Sequence, residues 1–350
     1  MYSTDCIPLL ALTRGELIES IHYGAFVVVD RHGRVIASMG NQELLTYPRS
    51  SMKPLQALPF IERNGDQYFD LNPQEVAIIC ASHSGTDTHV EVLKAMHQKI
   101  GIGLNDLMCG IHWPSDKKTA ELMRIRGEKP NSYRHNCSGK HTGMLAHAKM
   151  RSLPLENYLS MDHPVQQTIL KTIAEMCGIE AEHTPVGVDG CSAPVFAIQL
   201  RSFAMGIARL CDPEGLDDRR AEACKRITHA MSSFPDMVAG PGRFDTVLMN
   251  LMQGKVIAKA GAEGYQCIGV LPNAFGEGSP ALGIAIKISD GDLTRRAINY
   301  VSVSILNDLG LFGERELDKL ASFGIKALKN WRGIVVGEMK TFFSLSKLNW

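Results

Sequence analysis

Two kinds of hydrophobic period share this chain, and their order limits what it can fold into. His22–Val29 and Arg34–Met39 are rich in β-branched and aromatic residues and flank a short Asp30-Arg-His-Gly33 turn, which predicts a β-hairpin. β-like runs return late, at 255–261, 266–271 and 282–288, after the loop 239–245, and Gly-rich turns join them. Between the two ends the apolar spacing is helical. It predicts helices from Ser50 to about Ile61 and over 87–100, 117–126, 138–150, 163–177, 194–210 and 217–232, with one more at 292–309. In the clearest of these Asp162 reads as the N-cap and Gly178 as the stop, with Val165, Ile169, Ile173 and Met176 on one face. Val76–Ala81 is a near-continuous apolar run and reads as a buried strand ending at Ser82-His-Ser-Gly85. Strands at both ends with helices between predict an α+β fold, in which N- and C-terminal strands form one antiparallel sheet and a helical lobe is inserted. The expected organisation is one domain over 1–350, with a sheet lobe at about 1–60 and 240–350 and a helical lobe at about 61–239.

That order is not the βαβα alternation of a doubly wound fold. Neither a GxGxxG dinucleotide fingerprint nor a Walker A phosphate loop occurs, which sets aside nucleotide-cofactor oxidoreductases and NTPases. Lys+Arg and Asp+Glu are both 37, so the net charge is zero, and a broad basic field for nucleic acid is excluded. No apolar run approaches the ~18 residues that span a bilayer. The N-terminus carries Asp5 ahead of a short apolar patch, Ile7–Leu12, and does not read as a secretory or transit signal, so a cytoplasmic protein is expected. The nine cysteines are irregularly spaced with no CxxC, which in such a chain predicts free, mostly buried thiols.

Several short stretches can carry chemistry. Ser50-Ser-Met-Lys53 is a Ser-x-x-Lys at a predicted helix start, and that spacing puts both side chains on one helix face. A serine hydroxyl is a weak nucleophile until a base takes its proton, and a lysine can do so only as the neutral amine. Alone, the pattern is weak, and an N-cap serine beside a solvated lysine is its plainer reading. Lys259-Ala-Gly261 ends a β-like run, where glycine lets a substrate approach the strand edge; the plain alternative is a solvated lysine before a turn. Ser82-His-Ser-Gly85 could relay a proton or merely form a turn. His135-Asn-Cys-Ser-Gly-Lys-His-Thr-Gly143 and Val188-Asp-Gly-Cys-Ser-Ala-Pro194 each set a cysteine beside a glycine. Cys137 and Cys191 could be soft metal ligands or simply buried thiols, and their sequence separation does not decide it. A cysteine nucleophile with His141 or His83 as base is a further option.

Taken together, five stretches in order resemble the rhizobial-type L-asparaginases, the asparaginase II-like family. They are Tyr47-Pro-Arg-Ser-Ser-Met-Lys-Pro-Leu-Gln56, Cys80-Ala-Ser-His-Ser-Gly85, His135 to Met144, Gly187 to Pro194, and Lys259-Ala-Gly-Ala-Glu-Gly264. The threonine-dependent asparaginases are not matched, since no Thr-Gly-Gly-Thr block occurs near the N-terminus. The resemblance implies a fold like that of serine β-lactamases and glutaminases, and hydrolysis of L-asparagine to L-aspartate and ammonia, with a glutaminase as the alternative. It implies two Ser–Lys pairs. Ser50 is the expected nucleophile, its hydroxyl against the Lys53 amine, and Ser82 with Lys259 face them as a proton shuttle. Backbone N–H groups at residue 50 and near Gly261 are expected to stabilise the oxyanion. One zinc ion per chain is implied on Cys137, Lys140 and Cys191, with water completing its shell. Arg49 is implied as the partner of the substrate carboxylate, with Asp189 and His141 beside the metal ligands as further anchors. The resemblance also implies a homodimer and no nucleic-acid or membrane partner.

Overall fold

The computed structural model of the protein describes residues 5–324 and 327–346. The chain opens with strands β1 (Ile7–Arg14), β2 (Leu17–Val29) and β3 (Val35–Met39), followed by a two-residue strand β4 (Leu45–Thr46). A 3-10 turn at Arg49–Met52 leads into the helices α1 (Lys53–Glu62), α2 (Gly65–Tyr68), α3 (Pro73–Ile79), α4 (Asp87–Ile100), α5 (Lys117–Ile125), α6 (Ser138–Met150) and α7 (Pro164–Cys177). Short strands β5 (Val186–Val188), β6 (Pro194–Phe196) and β7 (Ile198–Gln199) precede α8 (Leu200–Cys211), α9 (Asp218–Ser233), α10 (Pro235–Val238) and α11 (Phe244–Met252). The sheet then resumes with β8 (Val256–Ala260), β9 (Tyr265–Val270) and β10 (Leu282–Ile288). After α12 (Arg296–Asp308) and α13 (Glu314–Leu320) come β11 (Ala327–Lys329) and β12 (Val335–Thr341).

The main sheet runs β11-β12-β1-β2-β10-β9-β8, with β3 also on β2, and every pair is antiparallel. This is the expected α+β arrangement: strands from both ends meet in one sheet, with helices between. Its hinge is β2, whose Val29, Val28 and Val27 face Gly283, Ile284 and Ala285 of β10. β8 and β9 are buried along their whole length, because α11 and α9 pack against β8 while α8 and α12 pack against β9. That double cover explains their continuous apolar runs in place of alternation. Of the ten residues of α1 only Glu62 is not buried, since α6, α7 and α9 all pack on it. All nine cysteines are free and buried. Among the described residues no helix is long and apolar enough to cross a membrane.

Four local expectations are corrected. Val76–Ala81 is no strand: Val76–Ile79 close α3 and residues 80–81 turn out of it. The reason is a capping box at Asn72, whose side chain accepts from Glu75 N while the Glu75 carboxylate accepts from Asn72 N, with Pro73 at the first helical position. The helix expected over 194–210 begins only at Leu200, because residues 194–199 pair as β6 and β7. The cap of α7 is His163, whose Nδ1 accepts from Val165 N, and not Asp162; Gly178 is the left-handed stop, as read. Between the loop 239–243 and the returning strands lies a helix, α11, that the sequence reading missed. At the start of the chain, Ile7–Arg14 is a full strand, with Leu9 and Leu10 buried beneath the sheet's cover.

Candidate active site

The site forms where the start of α1, the turn after α3, the start of α6 and the end of β8 converge. Two close approaches make this possible. A Cβ on Gly139 of α6 would lie 1.9 Å from the Ile78 carbonyl, so only glycine lets α6 sit against the end of α3. A Cβ on Gly261 would lie 2.4 Å from the Pro48 carbonyl and 3.0 Å from Ser51 Oγ, so the end of β8 touches the 48–51 turn. Ser51 reinforces this junction by donating to Lys259 O at 2.7 Å. The turn itself holds Arg49 at φ +53, a left-handed conformation uncommon for a non-glycine residue, immediately before Ser50.

Ser82 is the centre of the cluster. Its Oγ lies 3.0 Å from Lys53 Nζ and 2.8 Å from Lys259 Nζ, and both lysines are buried. Lys53 also donates to Ala81 O, and its Nζ lies 3.4 Å from Asn136 O and 3.2 Å from Cys137 Sγ. Lys259 donates to Ala260 O at 2.7 Å. Burial, aided by the charge of Lys53, lowers the Lys259 amine from 10.5 to about 7. A neutral Lys259 has a lone pair for the Ser82 proton, while Ser82 accepts from Lys53. The expected Ser82–Lys259 pair is therefore formed.

The expected Ser50–Lys53 hydrogen bond is not. Among the described residues the Ser50 hydroxyl, which is partly exposed, makes no hydrogen bond. Helical spacing places the two residues on one side, but four polar atoms from other elements draw the Lys53 amine to Ser82 and Cys137 instead. Of the backbone groups at the expected oxyanion positions, Ser50 N–H makes no backbone bond, whereas Gly261 N–H itself is committed to Tyr265 O at 2.9 Å.

A second cluster adjoins the first through Lys53. Cys137 Sγ, Cys191 Sγ and an Asp189 oxygen all lie within 4.8 Å of one another. Lys140 Nζ is 3.0 Å from Cys191 Sγ and 3.8 Å from Asp189. The Cys191 thiol donates to Asp189 Oδ2 at 3.6 Å. The neighbouring Cys191, with the charges of Lys53 and Lys140, outweighs burial and holds the Cys137 thiol well below its ordinary value. Two sulfurs, an amine and a carboxylate within this span suit zinc, whose bonds to sulfur are about 2.3 Å. Asp189 also pairs with Arg49, at 2.8 Å to both Nε and Nη2. Burial pushes the Asp189 carboxyl up, but Lys140 and Arg49 outweigh it and leave it below its usual value. β5 and β6 pair Val188 with Pro194, and the loop between them carries Asp189 and Cys191 to this point.

The two candidate histidine bases are bonded elsewhere. His83 Nδ1 accepts from Gly85 N, so its Nε2–H donates to Ser138 Oγ at 2.8 Å, pinning the start of α6. His141 Nδ1 lies 2.6 Å from Tyr158 OH, which already accepts from Met108 N. The phenol proton therefore points to Nδ1, and His141 Nε2 carries a buried N–H with no partner among the described residues. Burial depresses both imidazoles, leaving them neutral. Neither ring hydrogen-bonds a cysteine sulfur, so nothing favours a Cys–His nucleophile.

Three contributors were missed in the sequence. Ser51 stands beside the candidate Ser50, Tyr158 lies outside every motif, and Asp245 falls at the end of the expected loop 239–245. Asp245 Oδ2 accepts from Ala260 N at 2.7 Å, directly behind Lys259. An acidic residue beside a Gly-Pro-Gly turn was the only signal for it.

Among solved structures the chain is similar to a Bacillus glutaminase determined in 4.3 M NaCl, at 14% identity and TM-score 0.38, over 82% of this chain and 91% of that one. It is also similar to a Bacillus subtilis glutaminase in covalent complex with 5-oxo-L-norleucine, at 13% identity and TM-score 0.33, over 75% and 79%. Overlaps this loose carry no argument about what the chain binds. No curated protein matches it. The family model described as L-asparaginase II matches residues 10–341, and the chain belongs to that family.

Proposed function

We propose that this member of the L-asparaginase II family hydrolyses L-asparagine to L-aspartate and ammonia through a seryl ester. The observation that supports it most is the Ser82 hydroxyl held between two buried lysine amines, one of them lowered to about 7. A lysine cation at Lys53 can pass a proton through Ser82 to neutral Lys259, which leaves Lys53 as the neutral base. Ser50, free and partly exposed, then turns to Lys53, gives up its proton and attacks the side-chain amide carbon. Its own backbone N–H is available to the oxyanion; one such donor typically contributes about 3 kcal/mol. Lys53 returns the proton to the leaving nitrogen, ammonia departs, and water enters by the same base to release aspartate.

The head group of the amino acid fits the pair opposite. Arg49 is the partner for the α-carboxylate and Asp189 for the α-ammonium, so the zwitterion exchanges with the Arg49–Asp189 ion pair. The unpartnered His141 N–H is a further donor for it. One zinc ion on Cys137, Lys140 and Cys191 belongs to the same reading; when bound it supplies fixed positive charge beside the head group. The same reading makes the protein a homodimer.

A second reading makes Ser82 the nucleophile, because its hydroxyl already contacts both amines. A diazoketone analogue of asparagine separates the two: peptide mass spectrometry is expected to find the adduct on Ser50, and an adduct on Ser82 would favour the alternative. Ammonia release from asparagine and glutamine, with and without a chelator, tests the activity itself. The two substrates differ by one methylene, worth only ~1–3 kcal/mol of discrimination. No release from either amide by folded, zinc-loaded protein would end the proposal.

A further inference from the structure

Behind Lys259, on the side away from Ser82, a ring of buried polar groups closes around the peptide unit that follows it. Asp245, buried in the first turn of α11, accepts from Ala260 N at 2.7 Å through Oδ2 and from Gln266 Nε2 at 2.9 Å through Oδ1. Gln266 Oε1 accepts from Arg295 Nη2 at 2.8 Å, and Arg295 Nη1 donates to Gly261 O at 2.9 Å. Asp245, Gln266 and Arg295 thus grip the strand end by the N–H of residue 260 and the C=O of residue 261. The carbonyl between these two points, Ala260 O, is the acceptor that holds Lys259 Nζ. Arg295 itself sits at φ +58 just before α12, a strained conformation kept where its two bonds require it.

Among the described residues Asp245 has no direct ion pair; its cationic neighbour Arg295 reaches it through Gln266. Its two hydrogen bonds offset the cost of burying a carboxylate, and they leave its negative charge directly behind Lys259. Arg243, two residues earlier, lines the same cavity of about 170 Å³ as Asp245, Ala260, Arg295 and Asn299, and its guanidinium has no hydrogen-bonded or ion-paired partner among the described residues. The other groups that face Lys259 are Lys53 from α1, the Cys80 thiol at the end of α3 and the Cys267 thiol of β9. Burial pushes both thiols up to about 12, so neither is charged near neutral pH.

We propose that the start of α11 is the positioning and charge-setting element of Lys259: Asp245 fixes the Ala260–Gly261 peptide that orients the amine and favours its proton, and Arg243 opposes that proton. This rests on the reading of Lys259 as proton acceptor given above. The two charges act on the amine in opposite directions, in keeping with the causes that set its proton affinity.

The experiment is the pH profile of kcat/KM for ammonia release from asparagine by the zinc-loaded enzyme. Lys259 must be neutral to accept, so activity climbs with pH through its titration. Asp245→Asn is expected to move that acid limb to lower pH by about half a unit or more, and Arg243→Gln to move it to higher pH. Asp245→Glu, which keeps the charge, should restore the wild-type limb even where kcat is reduced. Limbs unmoved in the folded variants, with rate lost only in proportion to thermal stability, would make the element purely structural and overturn the inference. Should Asp245→Asn not fold, the Arg243→Gln limb alone decides. Lys259→Met run in parallel separates the two levels. An inactive Lys259→Met beside unmoved limbs removes only the role of α11, whereas an active one removes the reading of Lys259.

Discussion

Lys53 and Lys259 share one hydroxyl, that of Ser82, from the start of α1 and the end of β8, at 3.0 and 2.8 Å. Two ammonium groups on one oxygen in a buried site repel, so this arrangement favours one proton fewer than two free lysines would carry. A shared oxygen also gives the proton a path between the amines with no water in between. Ser82→Ala should therefore cut kcat for ammonia release by about 10²–10⁴ while KM changes little, because the loss falls on proton transfer rather than on the head-group contacts. Wild-type kcat in folded Ser82→Ala would exclude the relay.

The lowered amine of Lys259 has a consequence for stability. Its folded value is about 7 against an ordinary 10.5. Between those two values the unfolded chain holds a proton that the native protein does not, so this residue makes stability rise as pH rises from about 7 to 10.5. Below about 7 both states are protonated and its full penalty applies. Lys259→Met removes the penalty and fills the site with apolar volume. The variant should melt several degrees higher than wild type at pH 7 by calorimetry, and its advantage should shrink towards pH 10. An inactive variant with an unchanged or lower melting point at pH 7 would show that the buried amine is not a burden on the fold.

Gly261→Ala tests the junction between β8 and the turn that carries Ser50. The new methyl group meets the Pro48 carbonyl at 2.4 Å, a distance no packing tolerates, and backbone rather than a flexible side chain has to give. The strand end is clamped, so the 48–51 turn is the part that moves. We expect a loss of about 1–3 kcal/mol in stability and a larger proportional loss in kcat, about 10²-fold, since catalytic groups tolerate little displacement. Circular dichroism melts and turnover on the same preparation separate the two; full turnover would mean that Ser50 does not depend on this contact.

Which parts of this were legible in the sequence follows from how local each feature is. The hairpin over residues 22–39, the late strands and the long helices were readable because each carries its own period. α7 was readable to its glycine stop, with Val165, Ile169, Ile173 and Met176 buried as expected. Val76–Ala81 misled because a short run buried on all sides has no period; the Asn72-Pro73-x-Glu75 box was the usable signal. α11 was hidden behind the Gly-Pro-Gly turn, and Asp245 with it. The pairing of Ser82 with Lys259 came from the resemblance, not from spacing. The failure at Ser50 and Lys53 has a physical cause: helix geometry fixes where Cβ points, but a lysine amine four bonds further out goes where acceptors from other elements are, here Ala81, Ser82, Asn136 and Cys137. Likewise nothing in the chain between Cys137 and Cys191 announces that the β5–β6 loop will bring them together.

That cysteine cluster yields the last prediction. Cys137 Sγ is the one atom shared by both halves of the site: it lies beside Cys191 and Asp189, and 3.2 Å from Lys53 Nζ. Cys137→Ser replaces a soft thiolate by a hydroxyl that ionises far less readily and binds zinc weakly. Zinc measured by elemental analysis should fall from about one per chain to a small fraction of that, and Cys191→Ser should do the same. The two variants should then differ. Cys191 has no hydrogen bond to either lysine of the relay, so its variant should lose head-group affinity and raise KM. Cys137→Ser also replaces the sulfur that lies 3.2 Å from Lys53 Nζ, so it should lower kcat as well as raise KM. Stoichiometric zinc retained by both serine variants would refute the ligand set, and an unchanged kcat in Cys137→Ser would refute the link from Cys137 to the lysine relay.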